Sequence, residues 1–376
     1  MSRREKKKDC YMAGKMIEPL KLKGNENVAS FIRNVFGNSG FNARRLAEAC
    51  EIYSRMLQEN TTVCLTLAGA MTPIGMSGPI IDMMELGFID FIISTGANLY
   101  HDLHRPFDYP VRQGSSFVDD TELYQLGIAR IYDTFIEDDE TLLATDRIIL
   151  ETVKQIPSDK PISTAEFHHF LGQRVQEIAP HPEKSLLAQA ARLNVPIYTS
   201  SPGDSSIGMN LAGAATFGKR IIIDSTRDIL ETAAIVKSAA KNGAIEIGGG
   251  SPKNFYMQTQ PMLWQILRIN RGGHDYFIQL TTDAPHWGGL SGATSQEAKS
   301  WGKIQDPGKD NVTVYSCASI TFPLLCQFAR QECKARKPKE LYLKTRDLVD
   351  ELIKDARGIP KNIRQYGKLY GTQPLP

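Results

Sequence analysis

The chain has 376 residues, 41% hydrophobic and 23% charged, the composition of an ordinary globular chain large enough for one sizeable core. Its 44 Lys and Arg residues against 42 Asp and Glu leave a formal charge of +2, which argues against nucleic acid held by bulk charge. No apolar stretch approaches the roughly 18 residues of a membrane span, so a cytoplasmic protein is expected, with neither nucleic acid nor membrane as partner.

The chain starts MSRREKKKDC, a dense basic cluster with no apolar run behind it. Residues 1–25 are therefore expected to form a flexible, solvated head rather than a signal peptide or anchor. A helical region over 27–58 is expected to cover one face of a sheet. From there one unit recurs: an apolar β-branched run, a loop of Gly, Ser, Thr or Asp, then a helical pattern. The runs lie at 61–69, 88–95, 195–199, 220–224, 244–247, 276–280 and 312–315. Strand and helix alternating this way predict an α/β fold, Rossmann-like and doubly wound, with a mainly parallel sheet and helical extensions at both termini. Near-continuous apolar strands fit burial on both faces. Residues 26–358 read as a single domain, and 359–376 as a flexible tail. The six cysteines lack CxxC spacing and read as reduced, mostly buried thiols. The seven histidines show no HExxH or comparable spacing, so no metal centre is expected.

In a parallel sheet of this kind ligands bind beyond the carboxyl ends of the strands. The loops at 72–77, 94–98, 203–206, 248–253 and 281–291 are predicted to converge there. Gly248, Gly249 and Gly250 followed by Ser251 and Pro252 suit a backbone that approaches phosphate and then starts a helix. A tight turn without ligand is an equal reading, since the GxGxxG pattern is absent.

The most informative stretch is 281–305. Thr294 and Glu297 have the spacing of a capping box and Gly302 is a natural helix stop, so Lys303 should emerge at a helix exit beside Trp301. An indole wall disfavours the ammonium, and a neutral lysine can form an imine with a carbonyl or imine substrate. Taken alone, Lys303 reads equally as a solvating charge at a helix end, and Glu297 as a cap.

These motifs together resemble the deoxyhypusine synthase family, in its bacterial-type synthase-like branch. The segments that carry the resemblance are STGANLYHD, PGDSSIG, IGGGSPKN, SGATSQEAKSWGKI and VTVYSCASITFPLL, in order over roughly residues 60–330. The resemblance implies an NAD-dependent transferase that moves a 4-aminobutyl group from spermidine, through an imine on Lys303, to an acceptor amine. It makes Trp301 the aromatic neighbour of that lysine and Glu297 the carboxylate that holds a polyamine ammonium. It assigns NAD to Thr72 and Ser77, to Thr95, Gly96 and Ala97, to Asp204 and Ser206, to Gly248, Gly249 and Gly250, and to Thr282, Asp283 and Ser291. It further implies a dimer of dimers with active sites between subunits.

Departures from the family pattern bear on substrate and proton transfer. Met209 and Leu290 stand where further aspartates are expected, and Trp287 replaces an acidic residue. Cys317 and His101 replace two more acidic residues, and Gln258 an asparagine. Asn254 replaces a histidine, and an amide is no general base near neutral pH. His286, His101 or a water become the candidates for proton transfer, and Asp283 a candidate to restore one carboxylate. The acceptor is expected to be a small amine such as putrescine, giving a homospermidine-type polyamine, or a protein lysine, giving deoxyhypusine. A third reading is a catalytically silent NAD-binding homologue acting as an interaction protein.

Overall fold

The computed structural model describes residues 3–360 apart from Asp159, Pro307 and Lys309. Six strands form a parallel sheet: β1 (Thr62–Leu67), β2 (Phe91–Ser94), β6 (Ile197–Thr199), β7 (Asn242–Ile247), β8 (Tyr276–Thr281) and β9 (Asn311–Tyr315), in the order β6-β2-β1-β7-β8-β9. The doubly wound α/β fold expected from the sequence is therefore present. The strand order turns at β1, with β2 and β6 on one side and β7 to β9 on the other, which is the topological switch that opens a crevice at the carboxyl edge.

Side chains alternate between two cores. Val63, Leu65, Ile92, Ile245, Ile278 and Leu280 point into one, and Cys64, Phe91, Ile93, Ala244 and Phe277 into the other. Because both faces are covered, every residue of β1, β2, β7 and β8 is buried. The helix Phe41–Gln58 packs on β8 and β9, so the predicted helical cover is in place. At the other end Leu341–Gly358 packs on the helix Ser225–Ser238.

Three details differ from the sequence reading. The head is not featureless: Arg3–Met12 is a helix, as its Arg, Lys and Glu content favours, although none of its residues is buried. The run at 220–224 is not a strand of the sheet. Ile223 makes only an isolated parallel bridge to Ile162 before Asp224 caps the next helix. A separate antiparallel sheet, β3 (Val111–Gln113), β5 (Thr134–Glu137) and β4 (Ile128–Ile131), was not anticipated, because its strands are three or four residues long and mix charges with apolar positions. Of the tail expected over 359–376, all but the first two residues lie outside the described residues. No helix among the described residues is long and apolar enough to cross a membrane.

Candidate active site

All six strands run the same way, so the loops that leave their carboxyl ends meet at one edge. Contacts between them are close. Thr95 donates its hydroxyl to Gly69 O at 2.6 Å, and Ser251 Oγ to Ser200 Oγ at 2.6 Å. A Cβ on Gly96 would stand 2.2 Å from Ser205 Cβ, and one on Gly249 2.4 Å from Ser291 Cα, so only glycine lets these loops touch. The amide of Gly250 donates to Ser291 Oγ at 3.1 Å, and Gly250 turns at φ +58° into the helix Gly250–Met257.

Several residues predicted to hold a cofactor fasten this edge through their own side chains. The hub is Asn98, which sequence reasoning passed over. Its carboxamide oxygen accepts from Met71 N at 2.6 Å and Thr72 N at 3.2 Å, and its amide donates to Gly69 O at 3.0 Å and Thr95 Oγ1 at 2.8 Å. The buried Thr72 gives its hydroxyl to Asn98 O at 2.6 Å, so the Thr72 and Thr95 hydroxyls are spent on the loops themselves. Ser77 starts the helix Ser77–Glu85 and is buried, and Gly96 and Ala97 open the helix Gly96–Asp102. Asp204 is exposed beside Ser206, which begins the helix Ser206–Thr216. Thr282 is exposed, and Asp283 caps its own loop by accepting from Ala284 N at 3.0 Å.

Next to these loops opens a cavity of about 330 Å³, lined by Lys253, Asn254, Glu297, Trp301 and Lys303, with Met257, Phe277 and Leu290 as apolar walls. The structure thus brings Lys303, Trp301 and Glu297 into one pocket with Asn254, the residue that stands in place of the family's histidine. The helix Ser295–Ser300 begins as expected, with Thr294 Oγ1 accepting from Glu297 N at 3.1 Å. The reciprocal bond of a capping box is not among the described contacts, and the exposed Glu297 side chain faces the pocket instead. Gly302 stops the helix at φ +68°, where a side chain would be strained and would meet Trp264 Nε1 at 3.1 Å.

Lys303 leaves that turn half-buried. Its ammonium position lies 5.6 Å from the Trp301 ring centroid and 3.2 Å from Asn254 Oδ1. Burial lowers its pKa, the neighbouring Lys253 lowers it further, and Glu246 and Glu297 act in the opposite sense. The lysine is therefore biased towards the free amine that nucleophilic chemistry needs. Of the substituted positions, Gln258 and Leu290 line the pocket and Met209 is 65% exposed. Trp287 is exposed, with its ring against His286. His101 sits elsewhere, hydrogen-bonded to His104 at 2.9 Å, and Cys317 is exposed ahead of the helix Ala318–Glu332.

Sequence reasoning missed what lies under Lys303. Lys253 is buried, with its Nζ donating to Gln279 Oε1 at 3.0 Å and Ala293 O at 2.7 Å. Glu246 is fully buried in the middle of the sheet, 4.0 Å from that nitrogen. A lone carboxylate inside the apolar run AIEIG was the available signal.

The protein-family model for deoxyhypusine synthase matches residues 32–329. The chain belongs to the deoxyhypusine synthase family. A deoxyhypusine synthase-like protein of Nostoc punctiforme is 43% identical over 352 residues, covering 91% of this chain and 90% of that protein. A protein of Methanosarcina acetivorans named probable deoxyhypusine synthase 2 is 40% identical over 308 residues, 82% of this chain and 87% of the relative. Among solved structures, a candidate deoxyhypusine synthase from Entamoeba histolytica superposes with a TM-score of 0.59 at 16% identity, over 85% of this chain and 99% of that one, which bears on the fold alone. The deoxyhypusine synthase family is one of transferases, and the SWGK segment that carries Lys303 lies inside the matched region.

Proposed function

We propose that this chain is an NAD-dependent transferase that moves the 4-aminobutyl group of spermidine to an acceptor amine through an imine on Lys303. The observation that carries the reading is the seating of Lys303: a half-buried amine, biased towards neutrality, against an indole and in a pocket that adjoins the carboxyl edge of a parallel sheet.

The edge suits a dinucleotide. A Cβ on Gly69, Gly203 or Gly250 would meet no atom within 4 Å, so phosphate can reach those backbones. Gly248 to Gly250, Gly96, Ala97, Asp204, Ser206 and Ser291 would hold the cofactor, with Thr72, Ser77, Thr95, Thr282 and Asp283 fixing the loops around it. Held there, the cofactor would supply reversible hydride chemistry at the carbon beside the donor's secondary amine.

The protein's own groups do the rest. Glu297 attracts the donor's terminal ammonium, and the Trp301 face adds cation–π attraction of ~0.5–2 kcal/mol. Asn254 accepts from the Lys303 nitrogen and aims it into the pocket. The Lys303 amine attacks the oxidised donor carbon, the diamine leaves, and the butyl group waits on Lys303 for the acceptor. The pocket holds fewer carboxylates than the family pattern would supply, which favours a small amine such as putrescine over a protein lysine as acceptor. Leu290, exposed on the pocket wall, suits a subunit interface, in line with a dimer of dimers.

Mass spectrometry of the protein incubated with NAD and spermidine, then borohydride, tests the reading. An aminobutyl adduct on Lys303, absent in Lys303→Ala and discharged by putrescine or by an acceptor protein's lysine, is expected. An adduct on no lysine under any donor condition would overturn it.

A further inference from the structure

Passing a butyl group from one nitrogen to another moves protons as well as carbon. When Lys303 attacks an iminium carbon, the C–N bond forms with the electron pair of the Lys303 amine, and the C=N pair returns to the departing nitrogen. The Lys303 nitrogen now carries an extra proton, and the departing nitrogen needs one before its own C–N bond breaks. Something must carry that proton across. Asn254 has no useful basicity. His286 faces Trp287 outside the pocket, and His101 is tied to His104, itself bonded to Thr145. Apart from Lys303, the titratable side chains that line the pocket are Lys253 and Glu297, and Glu297 is out at the exposed rim.

Lys253 is built for the task. The helix Gly250–Met257 sets it one residue before Asn254, so the acceptor for the Lys303 nitrogen and the second lysine share one turn. Two of its donor directions are taken by Gln279 and Ala293 O, which hold the head group still. Behind it stands Glu246, whose two carboxylate oxygens have no hydrogen-bond partner among the described residues. The sheet register explains the company: Thr66, Glu246 and Gln279 are direct neighbours on β1, β7 and β8, all on the face that the helix covers, and the Thr66 hydroxyl is unpartnered too. A buried carboxyl and a buried amine 4.0 Å apart share a single proton at little net charge, so the pair can take up or release one more.

We infer that Lys253, seated on Glu246, is the proton-transfer group of this pocket: it takes the proton from the Lys303 nitrogen in the adduct and delivers it to the departing amine. Glu246 acts through Lys253 and is a positioning residue. The inference rests on the imine reading of Lys303. The charged groups facing Lys253 are Glu246 from β7, Asp283 from the loop after β8, Glu297 from the helix Ser295–Ser300, and Lys303 itself. Burial disfavours the Lys253 ammonium and Glu246 is the largest influence that favours it.

The test isolates the nitrogen chemistry from cofactor and donor. The full-length protein is treated with 4-aminobutanal and cyanoborohydride across the neutral pH range, and the secondary amine on Lys303 is followed by peptide mass spectrometry. Imine formation from an aldehyde needs the same carriage of a proton, from the Lys303 nitrogen to the departing hydroxyl. Lys253→Met should slow labelling of Lys303 by about 10²-fold and flatten its pH dependence. Glu246→Gln should keep much of the rate but move the pH midpoint downward, because the carboxylate no longer favours the ammonium on Lys253; a role in packing alone moves no midpoint. If Lys253→Met does not fold, the direction of the Glu246→Gln shift decides. Wild-type rate and profile in the variants would overturn the inference while leaving the imine reading intact. Labelling of Lys253 in place of Lys303 would overturn the division of roles, and no adduct on the wild-type protein would overturn both readings.

Discussion

Replacing Gly249 by alanine tests whether the glycine loop and the lysine loop act as one body. The new Cβ would lie 2.4 Å from Ser291 Cα and 2.9 Å from Ser291 Cβ, where ordinary contact begins at 3.4 Å. The conflict is one of space against Ser291. Ser291 must retreat by about 1 Å. Two bonds fail with it: Gly250 N to Ser291 Oγ at 3.1 Å, and Gln279 Nε2 to Ser291 O at 2.7 Å. Gln279 also accepts from Lys253, so the disturbance reaches the floor of the pocket. Overpacking of this kind costs ~1–3 kcal/mol, which for a chain this long lowers the melting temperature by only a few degrees, whereas ~1 Å of misplacement at reacting groups can cost ~10²-fold in rate. Gly249→Ala should therefore fold and melt cooperatively, bind NAD more weakly by calorimetry, and label Lys303 much more slowly in the aldehyde assay. Unchanged NAD affinity together with an unchanged labelling rate would refute the coupling.

Three further outcomes follow from other parts of the structure. Lys303→Ala should lose every borohydride-trapped adduct while its melting temperature and NAD affinity stay near wild type, as checked by mass spectrometry and thermal scans; collapse of the fold would make Lys303 structural. Arg336 donates to Gly87 O at 2.8 Å and Thr61 O at 3.0 Å and approaches the buried Asp90 at 3.4 Å, so Arg336→Met should cost about 3 kcal/mol in urea unfolding, Lys339 at 3.6 Å from Asp90 keeping the loss from being larger. Burial and the nearby Arg105 lower His101 to about 4, and burial with His101 and Arg105 nearby lowers His104 to about 3, from an ordinary 6.5. Both are neutral when folded and charge readily when unfolded, so their contribution is complete above about 6.5 and is lost as pH falls towards 4 for His101 and towards 3 for His104. His104→Gln should flatten that acid limb in melting temperature against pH, and an identical slope in both proteins would count against it.

The parallel sheet was legible because strands buried on both faces are written as unbroken apolar runs, and the lysine loop because Thr294, Gly302 and Trp301 each leave a local mark. Other features were hidden for definite reasons. The antiparallel strands β3 to β5 are short and half-exposed, so they show no periodic signal. The run at 220–224 has strand composition but finds only Ile162 to pair with, which no local rule decides. Thr72 and Thr95 carry hydroxyls suited to a ligand, yet Thr72 spends its own on Asn98 O and Thr95 its own on Gly69 O, and apart from Thr95 the partners of Asn98 lie 26 to 31 residues away in sequence, which spacing cannot show.

Glu246 poses the sharpest physical question in the sheet. Its neighbours in register are Thr66 and Gln279, and an aliphatic residue there would join the core formed by Ala244 and Phe277 on the same face. Exchanging a buried ion pair for well-packed apolar groups is often neutral or stabilising by ~1–4 kcal/mol, so the pair contributes little that packing would not supply better. Burial raises the Glu246 carboxyl and lowers the Lys253 ammonium, which brings the two proton affinities towards each other. Affinities drawn towards each other are what proton exchange requires and what simple stability does not. A carboxylate whose two oxygens have no hydrogen-bond partner among the described residues, placed at the carboxyl end of a central strand and directly behind the lysine that lines the pocket, is better explained by the chemistry above it than by the fold around it.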